Sequence, residues 1–313
     1  MSPLAAWLAL AAGILMLGLG AAWLVDGASR LALRLGVSPM VVGLTVVGFG
    51  TSMPELSVSL LAALYGSAAL SLGNAVGSNL MNLLLVLGVA AVLRPIQVVG
   101  GRQTMRRDLV FGLAPALILV PAAWHGAIGR PAAFALLLVF AAFLATCLRQ
   151  ARREDGARTV VAGHPARHLA VAAVGTGVLV AGAELLVRGG VVVARGFGVS
   201  EAVIGLTLVA FGTSLPELAT SVVAALKGET ELSVGNVLGS NVFNLGLIVG
   251  AAFAIRPAEV PVFVIRQDIP LLIGATALVG AIVLRDGRIS RTEATLMLAA
   301  FTGYLAFVMV RGG

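Results

Sequence analysis

The chain has 313 residues, 59% of them hydrophobic and only 11% charged, with a mean hydropathy of +1.04. A soluble domain is roughly a quarter charged, so the composition excludes a soluble enzyme and describes an integral membrane protein. The net charge of +7 does not point to nucleic acid, because the arginines fall in short connections between apolar runs, where topogenic charge belongs.

Ten stretches are long enough to span a bilayer: 4–25, 37–64, 70–93, 108–124, 131–148, 168–190, 199–226, 232–255, 267–284 and 292–310. Met1 to Val25 lacks a basic leader and a clear cleavage site, so it reads as a retained first helix. The longest polar connection divides the chain into residues 1–148 and 168–313, five spans each, joined by a linker over 149–167. The lone cysteine, Cys147, leaves no internal disulfide and no cysteine-built metal cluster.

The two halves are copies. A shift of 162 residues carries Phe49-Gly50-Thr51-Ser52 onto Phe211-Gly212-Thr213-Ser214, and Pro54-Glu55-Leu56 onto Pro216-Glu217-Leu218. The same shift carries Gly73-Asn74 onto Gly235-Asn236, Gly77-Ser78-Asn79 onto Gly239-Ser240-Asn241, Asn82 onto Asn244, and Arg94-Pro95 onto Arg256-Pro257. Between Gly36 and Gly66, 20 of 31 positions are identical to their copies. Chance similarity of apolar helices would match Leu, Val and Ala, not Asn, Pro, Glu and Ser, so this is an internal duplication.

Five is odd, so the second copy enters the membrane upside down. The expected fold is an all-α integral membrane protein of ten transmembrane helices, arranged as two inverted-topology five-helix repeats. With the N-terminus outside, fifteen of the 21 Lys and Arg residues lie in inner loops and six on the outer side. That bias places both termini outside a cell (inner or plasma) membrane and the central linker in the cytoplasm.

Glu55 and Glu217 stand within apolar runs, where ionisable groups are costly and functional. Pro54 cannot donate to the carbonyl of Gly50, nor Pro216 to that of Gly212, so carbonyls around both positions are partly freed. Irregular backbone at that depth survives only when it lines a cavity or is buried in protein. Thr51 and Ser52 precede Glu55 by four and three residues, which predicts one shared face on a regular helix. Taken alone, such hydroxyls more often back-bond to their own helix. Every Lys and Arg maps to a loop or span end, so the two carboxylates lack a protein counter-charge. They would repel and take up a proton unless a cation sits between them. Carboxylate, hydroxyl and amide oxygens are hard ligands of the kind Ca²⁺ and Na⁺ prefer. Six asparagines in two matching sets are expected to add neutral oxygens. His125, His164 and His168 lie in loops or at span ends and are expected to be solvated.

Both Gly-Thr-Ser-x-Pro-Glu segments, each followed by Gly-Asn-x-x-Gly-Ser-Asn-x-x-Asn, resemble the alpha repeats of the Ca²⁺/cation antiporter superfamily, most nearly prokaryotic sodium/calcium exchangers. The resemblance covers essentially the whole chain and implies exchange of Ca²⁺ against Na⁺ by alternating access. It implies acidic ligands at Glu55 and Glu217, and hydroxyl and carbonyl ligands at Thr51, Ser52, Thr213 and Ser214. Backbone oxygens at Gly48 and Ala210 follow, as do Ser78, Asn82, Ser240 and Asn244. Some members carry an aspartate at the position of Asn244, associated with K⁺ dependence; the amide here implies K⁺ independence. The proton-coupled branch usually has a glutamate where this chain has Gly77 and Gly239, which favours Na⁺ over H⁺.

The expected function is thus a Ca²⁺/Na⁺ antiporter, with a Ca²⁺/H⁺ or Na⁺/H⁺ antiporter using the same glutamates as the alternative. A cation channel is a second rival, separable by indifference to the counter-ion gradient. The sequence has no His-Glu-x-x-His, no nucleotide-binding Gly-x-x-x-x-Gly-Lys and no nucleophile–base pair, so no enzyme is expected. The expected partners are small inorganic cations and the lipid bilayer, without nucleic acid or nucleotide. No cofactor is expected, Ca²⁺ and Na⁺ being cargo, and the sequence leaves the oligomeric state open, a monomer among the alternatives.

Overall fold

In a computed structural model, which describes residues 1–66, 68–97, 101–153, 164–198, 210–260 and 262–312, the chain is almost wholly helical. Helix α1 (Pro3–Leu35) starts where Ser2 accepts the Ala5 N–H at 3.3 Å and Pro3 fills the first turn. It runs well past the expected end at 25, because Asp26, Arg30 and Arg34 end the apolar run without ending the helix. A bent pair follows, α2 (Pro39–Thr51) and α3 (Met53–Leu64), meeting at 50°. Next come α4 (Ala68–Met81, continued as Asn82–Val86 and Leu87–Leu93), α5 (Gly101–Trp124) and α6 (Arg130–Arg153). The second half holds α7 (Pro165–Gly196), α8 (Ala210–Thr213), α9 (Leu215–Lys227), α10 (Thr230–Ile255), α11 (Val264–Asp268 and Ile269–Asp286) and α12 (Arg291–Gly312). Among the described residues seven helices are long and apolar enough to cross a membrane, eight if α2 and α3 form one span. The chain is a multi-pass membrane protein. Residues 154–163 of the expected linker and 199–209 of the seventh expected span lie outside the described residues.

The bends follow from the prolines. Pro54 sits in the first turn of α3 and withholds one helical hydrogen bond, and Ser52 takes a non-helical conformation at φ −83°, ψ 8°. Ser214, before Pro216 in α9, does the same at φ −95°, ψ 6°. Wide five-residue-spaced turns interrupt α2 at Gly43–Val47, α4 at Asn82–Val86 and α10 at Phe243–Val249. Such turns concentrate at functional sites.

Two minimal strand pairs tie the halves together. β1 (Ile96–Gln97) pairs antiparallel with β4 (Arg288–Ile289), and β2 (Ala127–Ile128) with β3 (Ala258–Glu259).

Glycines set the packing. Along α1, Ala6, Gly13, Gly20 and Gly27 recur every seven residues, facing Gly189, Gly182, Gly175 and His168 of the antiparallel α7. A Cβ on Gly20 would lie 2.6 Å from the Leu179 nitrogen, and one on Gly175 2.5 Å from the Leu24 nitrogen. The backbones therefore touch, and the two helices form one unit. This corrects the expectation for His168: α7 begins at Pro165, so the imidazole lies one turn inside the helix, 5% exposed. A second glycine contact seats α2 on α10, where a Cβ on Gly239 would lie 2.4 Å from the Leu44 carbonyl.

Replacing Gly20 or Gly175 with Leu should force α1 and α7 apart, at an overpacking cost of at least about 1–3 kcal/mol. Melting in detergent should show a drop of several degrees, whereas Gly18→Ala, with nothing within 4 Å of its new Cβ, should melt unchanged.

Candidate cation site

The two chain breaks face each other across the middle of the bundle. Each leaves a glutamate in the first turn of the following helix, Glu55 in α3 and Glu217 in α9. A helix N-terminus favours negative charge. Both side chains are buried, at 1% and 0% exposure. No ion pair reaches either carboxylate among the described residues.

The hydroxyls do not serve their own glutamates. Ser52 Oγ donates to Glu217 Oε1 at 3.0 Å, and Ser214 Oγ faces Glu55 Oε1 at 3.1 Å. The expected shared face of Thr51, Ser52 and Glu55 is thereby corrected, since the 50° bend swings Ser52 across to the other repeat. Ser78 Oγ lies 3.2 Å from Ser214 Oγ, and Ser240 Oγ lies 3.5 Å from Glu217 Oε1 and 3.5 Å from the Gly48 carbonyl. That carbonyl also accepts the Ser52 N–H at 3.1 Å. Thr51 Oγ1 sits 3.1 Å from the Val47 carbonyl and 3.0 Å from Asn236 Oδ1, with one proton to share between them. Ala210, the copy of Gly48, opens α8, at whose far end stands Thr213.

The asparagines divide into two jobs. Asn79 and Asn241 clamp each other's backbones, Asn79 Nδ2 to the Asn241 carbonyl at 3.0 Å and Asn241 Nδ2 to the Asn79 carbonyl at 3.3 Å. Their side-chain oxygens accept the amides of the next pair: Asn82 Nδ2 donates to Asn241 Oδ1 and Asn244 Nδ2 to Asn79 Oδ1, each at 3.0 Å. Both amide groups are thus fixed by their nitrogens. Their oxygens, Asn82 Oδ1 and Asn244 Oδ1, have no hydrogen-bond partner among the described residues. The same is true of Glu55 Oε2, Glu217 Oε2 and Thr213 Oγ1, all buried. Buried polar atoms are paired as a rule, so these five oxygens, all on residues of the duplicated motifs, could hold an oxygen-seeking cation. No group of three or more His, Cys, Asp or Glu side chains gathers among the described residues, so the charge available is that of two carboxylates.

The structure therefore brings together Glu55, Glu217, Thr51, Ser52, Ser214, Ser78, Ser240 and Gly48, while Asn82 and Asn244 bond to the clamping pair and Ala210 and Thr213 stand in the short helix before Ser214. It separates Asn79 and Asn241, expected as extra ligands, into a supporting role. It also adds Ser59 and Ser221, buried four residues after each glutamate, which accept Asn74 Nδ2 at 3.3 Å and Asn236 Nδ2 at 2.9 Å. Their signal was present in the duplication, since the same 162-residue shift relates them.

The halves are not in the same state. Asn236 is fully buried beneath α2 and accepts from Thr51, whereas its copy Asn74 is half-buried and the Thr213 hydroxyl has no partner among the described residues.

Asn79→Leu should strand the Asn244 amide and cost about 1–3 kcal/mol for the unpaired group. Thermal melting of the purified variant in detergent should show a lower melting temperature than that of the unsubstituted protein.

A model of the sodium/calcium exchanger protein family matches residues 5–149 and again 167–310. The putative antiporter CaxA of Alkalimonas amylolytica is 37% identical over 277 residues, which are 83% of this chain and 85% of that protein. The inner membrane protein YrbG of Escherichia coli (strain K12) is 32% identical over 247 residues, 73% of each chain. Among solved structures, the sodium-calcium exchanger NCX_Mj soaked with 10 mM Na⁺ and zero Ca²⁺ superposes with a TM-score of 0.84 at 28% identity, covering 97% of this chain and 99% of that one. CaxA is named as an antiporter, NCX_Mj as a sodium-calcium exchanger and YrbG as an inner membrane protein. With nearly the whole length accounted for in two matched stretches, the chain belongs to the sodium/calcium exchanger family of membrane cation antiporters.

Proposed function

We propose that this chain exchanges Ca²⁺ against Na⁺ by alternating access at the site between the two chain breaks. The observation that carries the reading is the reciprocal pair, each glutamate held by a serine of the other repeat while its second oxygen stays unpartnered. Glu55 and Glu217 together neutralise one Ca²⁺, with Thr51 and Thr213 contributing backbone oxygens as do Gly48 and Ala210. When Ca²⁺ leaves, Na⁺ ions divide the same carboxylates and recruit Ser52, Ser78, Ser214 and Ser240, with the amide oxygens of Asn82 and Asn244 beside them.

The surrounding frame is ten helices in two inverted repeats, residues 1–148 and 168–313, with the linker in the cytoplasm and both termini outside. Support comes from the 162-residue duplication, the odd span count and the two separate stretches matched by one family model. Alternating access is supported by the unequal halves, since the Thr51–Asn236 bond is made while its copy, Thr213 to Asn74, is not. The moving part is the glycine-locked pair α1 and α7, which carries neither glutamate.

In everted membrane vesicles, an outward-directed Na⁺ gradient should drive ⁴⁵Ca²⁺ uptake, and Glu55→Gln or Glu217→Gln should each abolish it. Uptake that survives both substitutions would remove the site assignment. Uptake driven by a pH gradient in the absence of Na⁺ would replace the coupling ion and leave the site standing.

A further inference from the structure

Four arginines in the connections take no part in the cation chemistry described above, yet they form a pattern that the duplication preserves. Arg94 and Arg256 are copies under the 162-residue shift, and each directly follows the last residue of an asparagine-bearing helix, Leu93 and Ile255. Each precedes a proline and so takes extended backbone, φ −141° and −137°. Each guanidinium rests on the end of a glutamate helix from the other repeat.

Arg94 Nη1 donates to the carbonyl of Leu226, in the last turn of the Glu217 helix, at 3.3 Å. A Cβ placed on Gly228, just beyond that helix, would meet both Arg94 Nη atoms at 3.2 Å. At the opposite end of the molecule, a Cβ on Gly66, just beyond the Glu55 helix, would meet Arg256 Nη1 at 3.2 Å. Both glycines have left-handed backbone, φ +94° at Gly66 and +88° at Gly228. Glycine is required twice over here, for the conformation and for the space the guanidinium fills.

The pattern continues one step outward. Arg130, at the start of α6, donates through Nε to the Ala254 carbonyl at 3.3 Å, and Arg291, at the start of α12, donates through Nε to the Val92 carbonyl at 3.1 Å. Ala254 and Val92 are again 162 residues apart, and each contact joins opposite repeats. Arg291 thus holds the end of the asparagine helix from which Arg94 reaches the glutamate helix, and Arg130 and Arg256 repeat the arrangement in the other half. The strand pair β1–β4 joins the same two connections, Ile96 standing two residues after Arg94 and Ile289 two residues before Arg291.

The last carbonyls of a helix have no partner within it and carry the negative end of its dipole. A guanidinium supplies both the donor and the charge. The Glu217 helix is then held at both ends, by its carboxylate site at the positive end and by Arg94 of the other repeat at the negative end, and Arg256 stands against the corresponding end of the Glu55 helix. From Glu217 to Leu226 is nine residues, about 14 Å of rigid helix, so the height of the far end sets the height of the carboxylate.

We propose that Arg94, Arg256, Arg130 and Arg291 are positioning residues for cation recognition, pinning each glutamate helix to the opposing asparagine helix so that the heights of Glu55 and Glu217 are fixed against Asn82 and Asn244. This rests on the cation-site reading above. Oxygen-to-cation distance is what separates divalent ions of different radius, so the consequence is read in selectivity as well as affinity.

The test is titration of purified protein with Ca²⁺ and separately with Sr²⁺, comparing Arg94→Ala, Arg94→Gln, Arg94→Lys and, as a surface control, Arg188→Ala, whose guanidinium bonds Glu184 within its own helix. Arg94→Ala should raise the Ca²⁺ Kd by about two- to fivefold, the size of one charge–dipole contact, and should change the Ca²⁺/Sr²⁺ ratio. Arg94→Lys, which keeps the charge and a donor, should recover most of the loss, and Arg188→Ala should bind as the unsubstituted protein does. If Arg94→Ala does not fold, the order Lys above Gln in affinity and ratio supports the proposal in its place, and equal values for the two overturn it. An unchanged Kd and ratio with only a lower melting temperature would also overturn the proposal and leave the arginines merely structural. Failure of the unsubstituted protein to bind either ion would instead overturn the cation-site reading, and this proposal with it.

Discussion

Two carboxylates set inside an apolar bundle, with no basic side chain to meet them, are the constraint around which this molecule is arranged. Burying a charge without a partner costs several kcal/mol, and the fold contains that cost without an arginine or lysine at the site. It places each glutamate in the first turn of a helix and gives one oxygen of each to a serine of the opposite repeat. On the proposed function, the other oxygen is left to the cargo. A structural ion pair would have solved the electrostatic problem permanently. Under the proposed exchange, leaving it half solved makes the binding of a cation, and its replacement by another, the event that neutralises the site.

Everything nearby protects that arrangement from solving itself in another way. The clamp of Asn79 and Asn241 occupies the amide nitrogens of Asn82 and Asn244 and leaves their oxygens. Ser221 occupies the amide of Asn236, whose oxygen in turn faces Thr51. The amide nitrogens of Asn82 and Asn244 are spent on the scaffold, and their oxygens are left without a partner among the described residues. Close glycine contacts then bring α2 onto α10 and α1 onto α7 with no side chains between them. The first contact seals one half of the site, and the second makes a rigid pair that lies outside the glutamate and asparagine helices.

Much of this was readable in the residues. Polar identities survive duplication only when they are used, so Glu55 with Glu217 and Asn82 with Asn244 stood out against interchangeable Leu, Val and Ala. The prolines located both chain breaks. Four things were not readable. Hydropathy ends the first span near residue 25 because it senses Asp26 and Arg30, whereas backbone hydrogen bonds carry the helix on to Leu35. Regular helix spacing sets Ser52 under its own Glu55, and only the 50° bend reveals that it serves Glu217. The amides at 79 and 82 look alike in sequence, and which one clamps and which one offers oxygen depends on the partner three residues away in the other repeat. The burial of His168 was hidden for a similar reason, since it comes from the facing glycine at 27 and not from anything in its own span.

The central claim is that Glu55 and Glu217 form one site and not two. Equilibrium binding of ⁴⁵Ca²⁺ to the purified protein measures this directly. One Ca²⁺ per chain, displaced by Na⁺ and lost entirely on either Glu55→Gln or Glu217→Gln, is the predicted result. Two Ca²⁺ per chain, with each substitution removing one and sparing the other, would contradict it.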